Sequence, residues 1–457
     1  MKLTKDISVD NHFHRLFSVF KPISNSILLI SLIVWAICPI IGIIPLLIFS
    51  QINVSINARK SKFGFSLFSL TSFSLLLVFI TLTVCSSTRQ IEGDLKEYVK
   101  VYLGLGEKPF LEYMKDVNME PVTFIIPRII KFIFNDDAMN FVIAQSLTLN
   151  FAFMMIAIIC MPMYYPTIIL LNITSPSYFE QLFLMRQFYS FIFLIPLIYF
   201  SGRGVKLILS LLCLFTHTSS LFFIPITLIP FGSFLSTDER GGNINSSKNT
   251  KKKILKFIYK MLKRKIVFYG IVLFMCISVS FLLLIGTQYV DLIGSIFPQF
   301  LPKIDAYSDS ENLLGLSPER LWKALIFDIL FLTLLIALMD LKNASKSFYT
   351  WSILFIFSAL FLVCFYYVQP LFGRLTCLLG GLSGFFYTII LSSDNMSKKL
   401  DLKLGLMFTA IFIKCSYFIY LIYANSNANL SSLWGGNPFG KNAVDYIDYL
   451  IQYKLSY

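Results

Sequence analysis

A chain of 457 residues with 56% hydrophobic and 16% aromatic side chains, and only 14% charged ones, cannot be covered by a water-facing surface. With a formal net charge of +14, these proportions exclude an ordinary soluble globular domain and identify a polytopic membrane protein. The expected fold is all-α, because the apolar runs reach about 20 residues, the length a helix needs to cross a hydrocarbon core of about 30 Å. The alternating ten-residue segments of a transmembrane barrel are absent from the sequence.

The amino-terminal stretch MKLTKDISVDNHFHRLFSVFKPIS carries Asp6 and Asp10 before the first apolar run, and no small-residue cleavage site follows, so no removable signal peptide is expected. Residues 26–50 contain Pro39, Gly42 and Pro45 and read equally as a bent hairpin or a single crossing. Further spans are expected near 63–85, 138–160, 179–200, 266–286, 320–341, 348–368, 371–391 and 404–424, with a short piece near 163–175. Counting short and re-entrant pieces, about 10–12 membrane helices form one transmembrane domain over 1–457, compatible with a GT-C-like architecture.

Charge sets the expected topology. The loop 231–265 holds ten Lys/Arg, including KKK at 251–253, and is expected on the cytoplasmic side. The segment 287–319 has five acids and one lysine, and 86–137 has nine acids and seven bases; both are expected outside, as is the tail 425–457. Residues 205–230 have basic loops at both ends, so a single crossing would put one loop on the wrong side. A re-entrant hairpin with His217 at its apex resolves this, each leg of about 13 residues rising about 20 Å. Within 86–137, PRIIKFIF reads as an amphipathic interfacial stretch that holds Arg128 and Lys131. The eight cysteines lie in or beside apolar segments with no CxxC spacing and read as small core residues, so no metal site is expected.

Ionisable groups in hydrocarbon are costly and normally face a cavity, a partner or a substrate. His217 lies within LILSLLCLFTHTSSLFFIPITLIP, and Arg186-Gln187 opens RQFYSFIFLIPLIYF about thirty residues earlier. The topology puts Arg186 and Arg374, in FGRL, near the same outer end, where guanidinium forks match phosphate oxygens. Simple snorkelling to lipid head groups is the alternative for both. His217 suits a general base, or else a packed histidine bonded to Thr216 or Ser219. Asp94, in EGDLKEY, and Glu120, before Pro121, are rival bases. No GxGxxG, P-loop or DxD is present, so neither nucleotide cofactor nor metal is expected, and no nucleic-acid partner.

The order SSTRQIEGDLKEY, EPVTFIIPRIIKFI, LMRQFYSFIF, LCLFTHTSSLFFIP, FGRL and NPFGKN resembles the EpsG-like branch of the Wzy-type O-antigen and exopolysaccharide polymerases. The likeness is spread over most of the chain and is sharpest at the Arg-Gln pair and FTHTSS. The resemblance implies a glycosyltransferase of the bacterial inner membrane, its active site facing the periplasm, that joins undecaprenyl-diphosphate-linked oligosaccharide repeat units without cofactor. It matches Arg186, Gln187 and His217 to the family's central motif, Asp94 and Tyr98 to its acidic-aromatic segment, and Arg374 more loosely. Membrane lipids and a separate chain-length co-polymerase are the partners it implies. A lipid-linked oligosaccharide flippase or transporter, an O-antigen ligase and another lipid-linked glycosyltransferase stay open as alternatives; no internal repeat of the transporter kind is visible.

Overall fold

The computed structural model describes residues 23–57, 69–88, most of 91–133, 137–175, most of 178–228, and 327–333, 346–364, 379–389, 400–426 and 440–455. Every regular element among them is helical. In chain order these are α1 (Ser24–Ile37), α2 (Pro39–Asn57), α3 (Leu70–Ser87), α4 (Gly93–Gly104), α5 (Val122–Ile133), α6 (Ala138–Cys160), α7 (Tyr165–Ile173), α8 (Met185–Tyr199), α9 (Arg203–Thr216) and α10 (Ile224–Leu228). After them come α11 (327–333), α12 (Lys346–Cys364), α13 (Leu379–Ile389), α14 (Leu400–Ser426) and α15 (Ala443–Leu455). The loop 231–265, the spans expected near 266–286, the segment 287–319 and Arg374 lie outside the described residues.

The surface identifies the solvent. On α6, Phe151, Met155 and Ile159 recur every fourth residue and are exposed, and α1 exposes Leu29, Ile30, Ile33 and Ile37. On α9 the polarity is inverted: Leu207, Ile208, Leu211 and Phe215 point outward while Ser210, Cys213 and Thr216 are buried. Helices that turn large apolar groups outward and small or hydroxylated ones inward are built for lipid, where helix contact relies on close packing. Inward hydroxyls return to their own helices, as in Ser74 Oγ to the Leu70 carbonyl at 3.0 Å and Thr81 Oγ1 to that of Leu77 at 2.8 Å. Three described helices, Pro39–Ile56, Leu70–Ser87 and Ala138–Cys160, are long and apolar enough to cross a membrane. The chain is an all-α, multi-pass membrane protein.

The two readings of 26–50 separate at Cys38. A Cβ on Gly42 would stand 2.3 Å from the Trp35 Cα, whereas residues seven apart on one straight helix are about 10 Å apart. The chain therefore reverses between α1 and α2, and Trp35 then donates to Thr81 Oγ1 on α3 at 2.8 Å. α2 and α3 pack together, α3 packs on α6, and α7 lies against α2, where Gln51 Oε1 accepts from Thr167 Oγ1 at 2.9 Å. α15 covers the end of α3: Tyr446 is fully buried, with its hydroxyl 3.4 Å from Cys85 Sγ.

The span expected at 179–200 is shorter, since its helix begins only at Met185. In the preceding NITSPS stretch the local polar groups favour turns. Ser175 and Tyr178 make successive turn bonds, and Tyr178 Oη donates to Asn150 Oδ1 at 2.8 Å. α9 ends at Thr216; His217 takes extended angles of φ −158° and ψ 119°, and its carbonyl accepts from the Ser220 hydroxyl at 2.7 Å. The helix break thus falls at His217, the residue expected at the hairpin apex, although the second leg among the described residues is only the five-residue α10.

Candidate functional site

Four of the residues singled out in the sequence meet at one end of the bundle. α8 and α9, of 15 and 14 residues, are separated by three residues and pack side by side, so the residue after α9 returns to the level of the first turn of α8. That geometry brings His217 to Arg186. A cation in the first turn of a helix opposes the helix dipole and needs an anionic partner. Glu120 supplies it: Arg186 Nη1 donates to Glu120 Oε2 at 2.6 Å, and Arg186 Nε donates to the Tyr98 hydroxyl at 3.0 Å. The guanidinium carbon also lies 5.7 Å from the Tyr98 ring centre.

The other carboxylate oxygen of Glu120 stands 3.6 Å from His217 Nδ1, longer than a hydrogen bond and close enough for a charged pair when the imidazole is protonated. One carboxylate thus serves a permanent cation and a titratable one. Burial pushes the Glu120 carboxyl up, but His217 and the Arg186 charge together outweigh it and hold the group well below its ordinary value of 4.5. Glu120 is therefore an anion at neutral pH, and the structure sets it as the hub of the cluster.

Local sequence explains how the carboxylate is presented. Pro121 restricts Glu120 to extended backbone, and the Pro121 carbonyl accepts the Phe124 and Ile125 N–H groups that open α5. On α5, Phe124 and Ile130 are buried, while Ile125, Ile129, Phe132 and Ile133 are exposed beside Arg128. Lys131 has a more specific place than a surface cation. Its ammonium donates to the Leu103 carbonyl at 3.0 Å and the Tyr102 carbonyl at 3.4 Å, closing the last turn of α4 and tying it to α5. Since α4 carries Tyr98 and α5 follows Glu120, that tie fixes the two partners of Arg186 relative to each other.

Asp94 sits half-buried in the first turn of α4, one helical turn before Tyr98 on the same face. Gln187 is buried next to Arg186. Arg186, Tyr98, Gln145, Tyr189 and Thr216 line a pocket whose other walls are apolar, among them Ile126, Phe141 and Met185. The cleft is only partly enclosed. The described residues contain no group of three His, Cys, Asp or Glu side chains arranged to hold a metal ion.

Two polar features escaped the sequence reading. Gln145, fully buried on α6, accepts from the Tyr189 hydroxyl. Deeper in the bundle, Lys414 on α14 reaches both oxygens of Asp328 on α11, at 2.8 and 3.0 Å, and the Tyr387 hydroxyl on α13 donates to Asp328 at 2.7 Å. The sequence does carry a signal for this cluster: LIFDILFL and AIFIKCSYF each hold one charge inside an apolar run. Their partnership joins positions 86 residues apart and is visible only in the fold. No protein-family model matches this chain, and neither a curated protein nor a solved structure matches it.

Proposed function

We propose that the protein is a polysaccharide polymerase that joins undecaprenyl-diphosphate-linked oligosaccharide repeat units by glycosyl transfer at the outer face of the bacterial inner membrane. The observation that carries the reading is the chain Tyr98–Arg186–Glu120–His217 beside an apolar-walled pocket at a membrane-helix end. Glycosyl transfer from a lipid diphosphate needs a base for the acceptor hydroxyl and a cation for the leaving group.

In the proposed reaction His217 turns Nδ1 toward Glu120 and uses Nε2 as the base. The acceptor oxygen forms a bond to the donor's anomeric carbon, and its proton moves to Nε2. The carbon–oxygen bond to the diphosphate breaks, and its electron pair leaves with undecaprenyl diphosphate, whose charge Arg186 steadies. Glu120 is then a positioning residue that orients the imidazole and stabilises its protonated form, rather than a ligand of the sugar. Gln187, Asp94 and Arg374 are proposed to act around this centre in binding the glycan and the diphosphate.

The test is a gel of surface glycolipid from cells lacking the gene, beside cells complemented with wild type, Arg186→Ala or His217→Ala. A ladder collapsing to core plus a single repeat unit, in the deletion and in both variants at normal membrane abundance, is the expected result. Loss of even the single unit identifies a flippase, ligase or assembly transferase instead, and an unchanged ladder removes the protein from this chemistry.

A further inference from the structure

The pocket beside Arg186 holds a second donor. Gln145 is 0% exposed; its Oε1 accepts from the Tyr189 hydroxyl, and its NH₂ is the end left over. Among the described residues Gln145 Nε2 has no hydrogen-bond partner. A buried N–H left unpaired is destabilising, and an apolar side chain at this position would avoid that cost. The unpaired donor is thus an expense that ligand binding would remove, and the group lines the same pocket as Arg186.

Arg186 is similarly half-used. Nε is bonded to Tyr98 and Nη1 to Glu120, while Nη2 carries no partner among the described residues. Arg186 and Tyr189 lie three residues apart on α8 and so share a face, and Gln145 lines the same pocket as both. Val101, Ile126, Phe141 and Met185 make much of the remaining wall apolar, and the Thr216 hydroxyl is already bonded to the Leu212 carbonyl. A ligand that satisfies both donors must present adjacent acceptor oxygens with negative charge and tolerate apolar surroundings.

We infer that Gln145 and Arg186 together form a phosphate-binding site, with the Gln145 amide donating to one phosphate oxygen and Arg186 Nη2 to another. This rests on the proposed role of Arg186 and adds a ligand-contacting residue from a different helix. It assigns α6 a part in the site. The shared chemistry is a phosphate oxyanion, carried either by a lipid head group or by free phosphate.

The test uses the purified full chain in detergent micelles with three probes: inorganic diphosphate, dihexanoyl phosphatidic acid, and dihexanoylglycerol as the phosphate-free control. Phosphatidic acid binds, the diacylglycerol does not, and Gln145→Leu weakens binding at least about tenfold, the loss expected for a hydrogen bond to a charged group. Gln145→Glu keeps the acceptor for Tyr189 and replaces the donor with an anion, so it weakens binding at least as much. The double variant Gln145→Leu, Tyr189→Phe melts no lower than wild type, because both polar groups go together, yet still binds weakly. Inorganic diphosphate binding as well as the lipid shows that phosphate alone suffices; binding of the lipid alone shows that the head group needs its apolar anchor. Either pattern supports the site. If Arg186→Ala abolishes binding while both Gln145 variants bind as wild type, the inference fails and the role of Arg186 stands. If neither phosphate probe binds wild type, or Arg186→Ala binds unchanged, both fail.

Discussion

Lys414→Met is the sharpest test of how this bundle holds its interior charges. The ammonium lies 2.8 Å from the nearer Asp328 oxygen, and the two side chains are 6% and 7% exposed. At an effective dielectric constant of about 20, two unit charges at that separation attract by about 6 kcal/mol. Most of that attraction offsets the cost of taking both ions out of water, so the intact pair contributes little net stability. Removing Lys414 leaves Asp328, among the described residues, with the Tyr387 hydroxyl alone, and about 3–5 kcal/mol is then lost. Replacing both, as Asp328→Leu with Lys414→Met, removes charge and desolvation together and returns stability close to wild type. The assay is a double-mutant cycle on membrane abundance and on thermal melting of the full chain in detergent. Single variants that melt like wild type, or a double variant as damaged as the worse single, would refute the reasoning.

Glu120→Gln should destabilise the protein by roughly 2 kcal/mol by weakening its charged hydrogen bond from Arg186, and shorten or abolish the polymer. Because folding lowers this carboxyl's pKa, its stabilisation is complete above 4.5 and fades as pH falls through the lower folded value. The melting difference between variant and wild type should not shrink from neutral pH to about 4.5 and should narrow only below that; a difference that vanishes between pH 7 and 5 would contradict it. Gly384→Ala puts a Cβ 2.3 Å from the Ile168 carbonyl oxygen and 2.9 Å from Asn172 Oδ1, which already accepts the Gly384 N–H. It should cost about 1–3 kcal/mol, measurable as a lower melting temperature, by forcing α13 away from α7.

Much of the fold is legible residue by residue. The inverted face of α9 and the exposed stripe on α6 follow from where leucine, phenylalanine, serine and threonine fall at helical spacing. The end of α9 at His217 is readable too, since the polar run THTSS can bond its own backbone. The late start of α8 is harder. The sequence expectation starts the span at 179, and it does not show that Tyr178 bonds to Asn150 and Gln181 to Ser86, on helices distant in sequence. Arg186 and His217 stand out in the sequence because each interrupts hydrocarbon-like surroundings, and Glu120 stands out as an acid before a proline. That one carboxylate joins them depends on α5 being tied to α4 through Lys131.

Composition and periodicity alone decide that this chain is helical, that it belongs in a membrane, and which few polar groups need an explanation, because burial cost is a property of each residue type. Partnership was decided by the tertiary structure. A buried charge can be satisfied by any opposite charge within a few ångströms, and the sequence holds several candidates for each. Nearly equal helix lengths at α8 and α9 bring Arg186 and His217 together around Glu120, and the meeting of α11, α13 and α14 chose Lys414 for Asp328. Gln145 was invisible beforehand because an amide inside a membrane helix is unremarkable until its neighbours are known to leave one N–H unmatched.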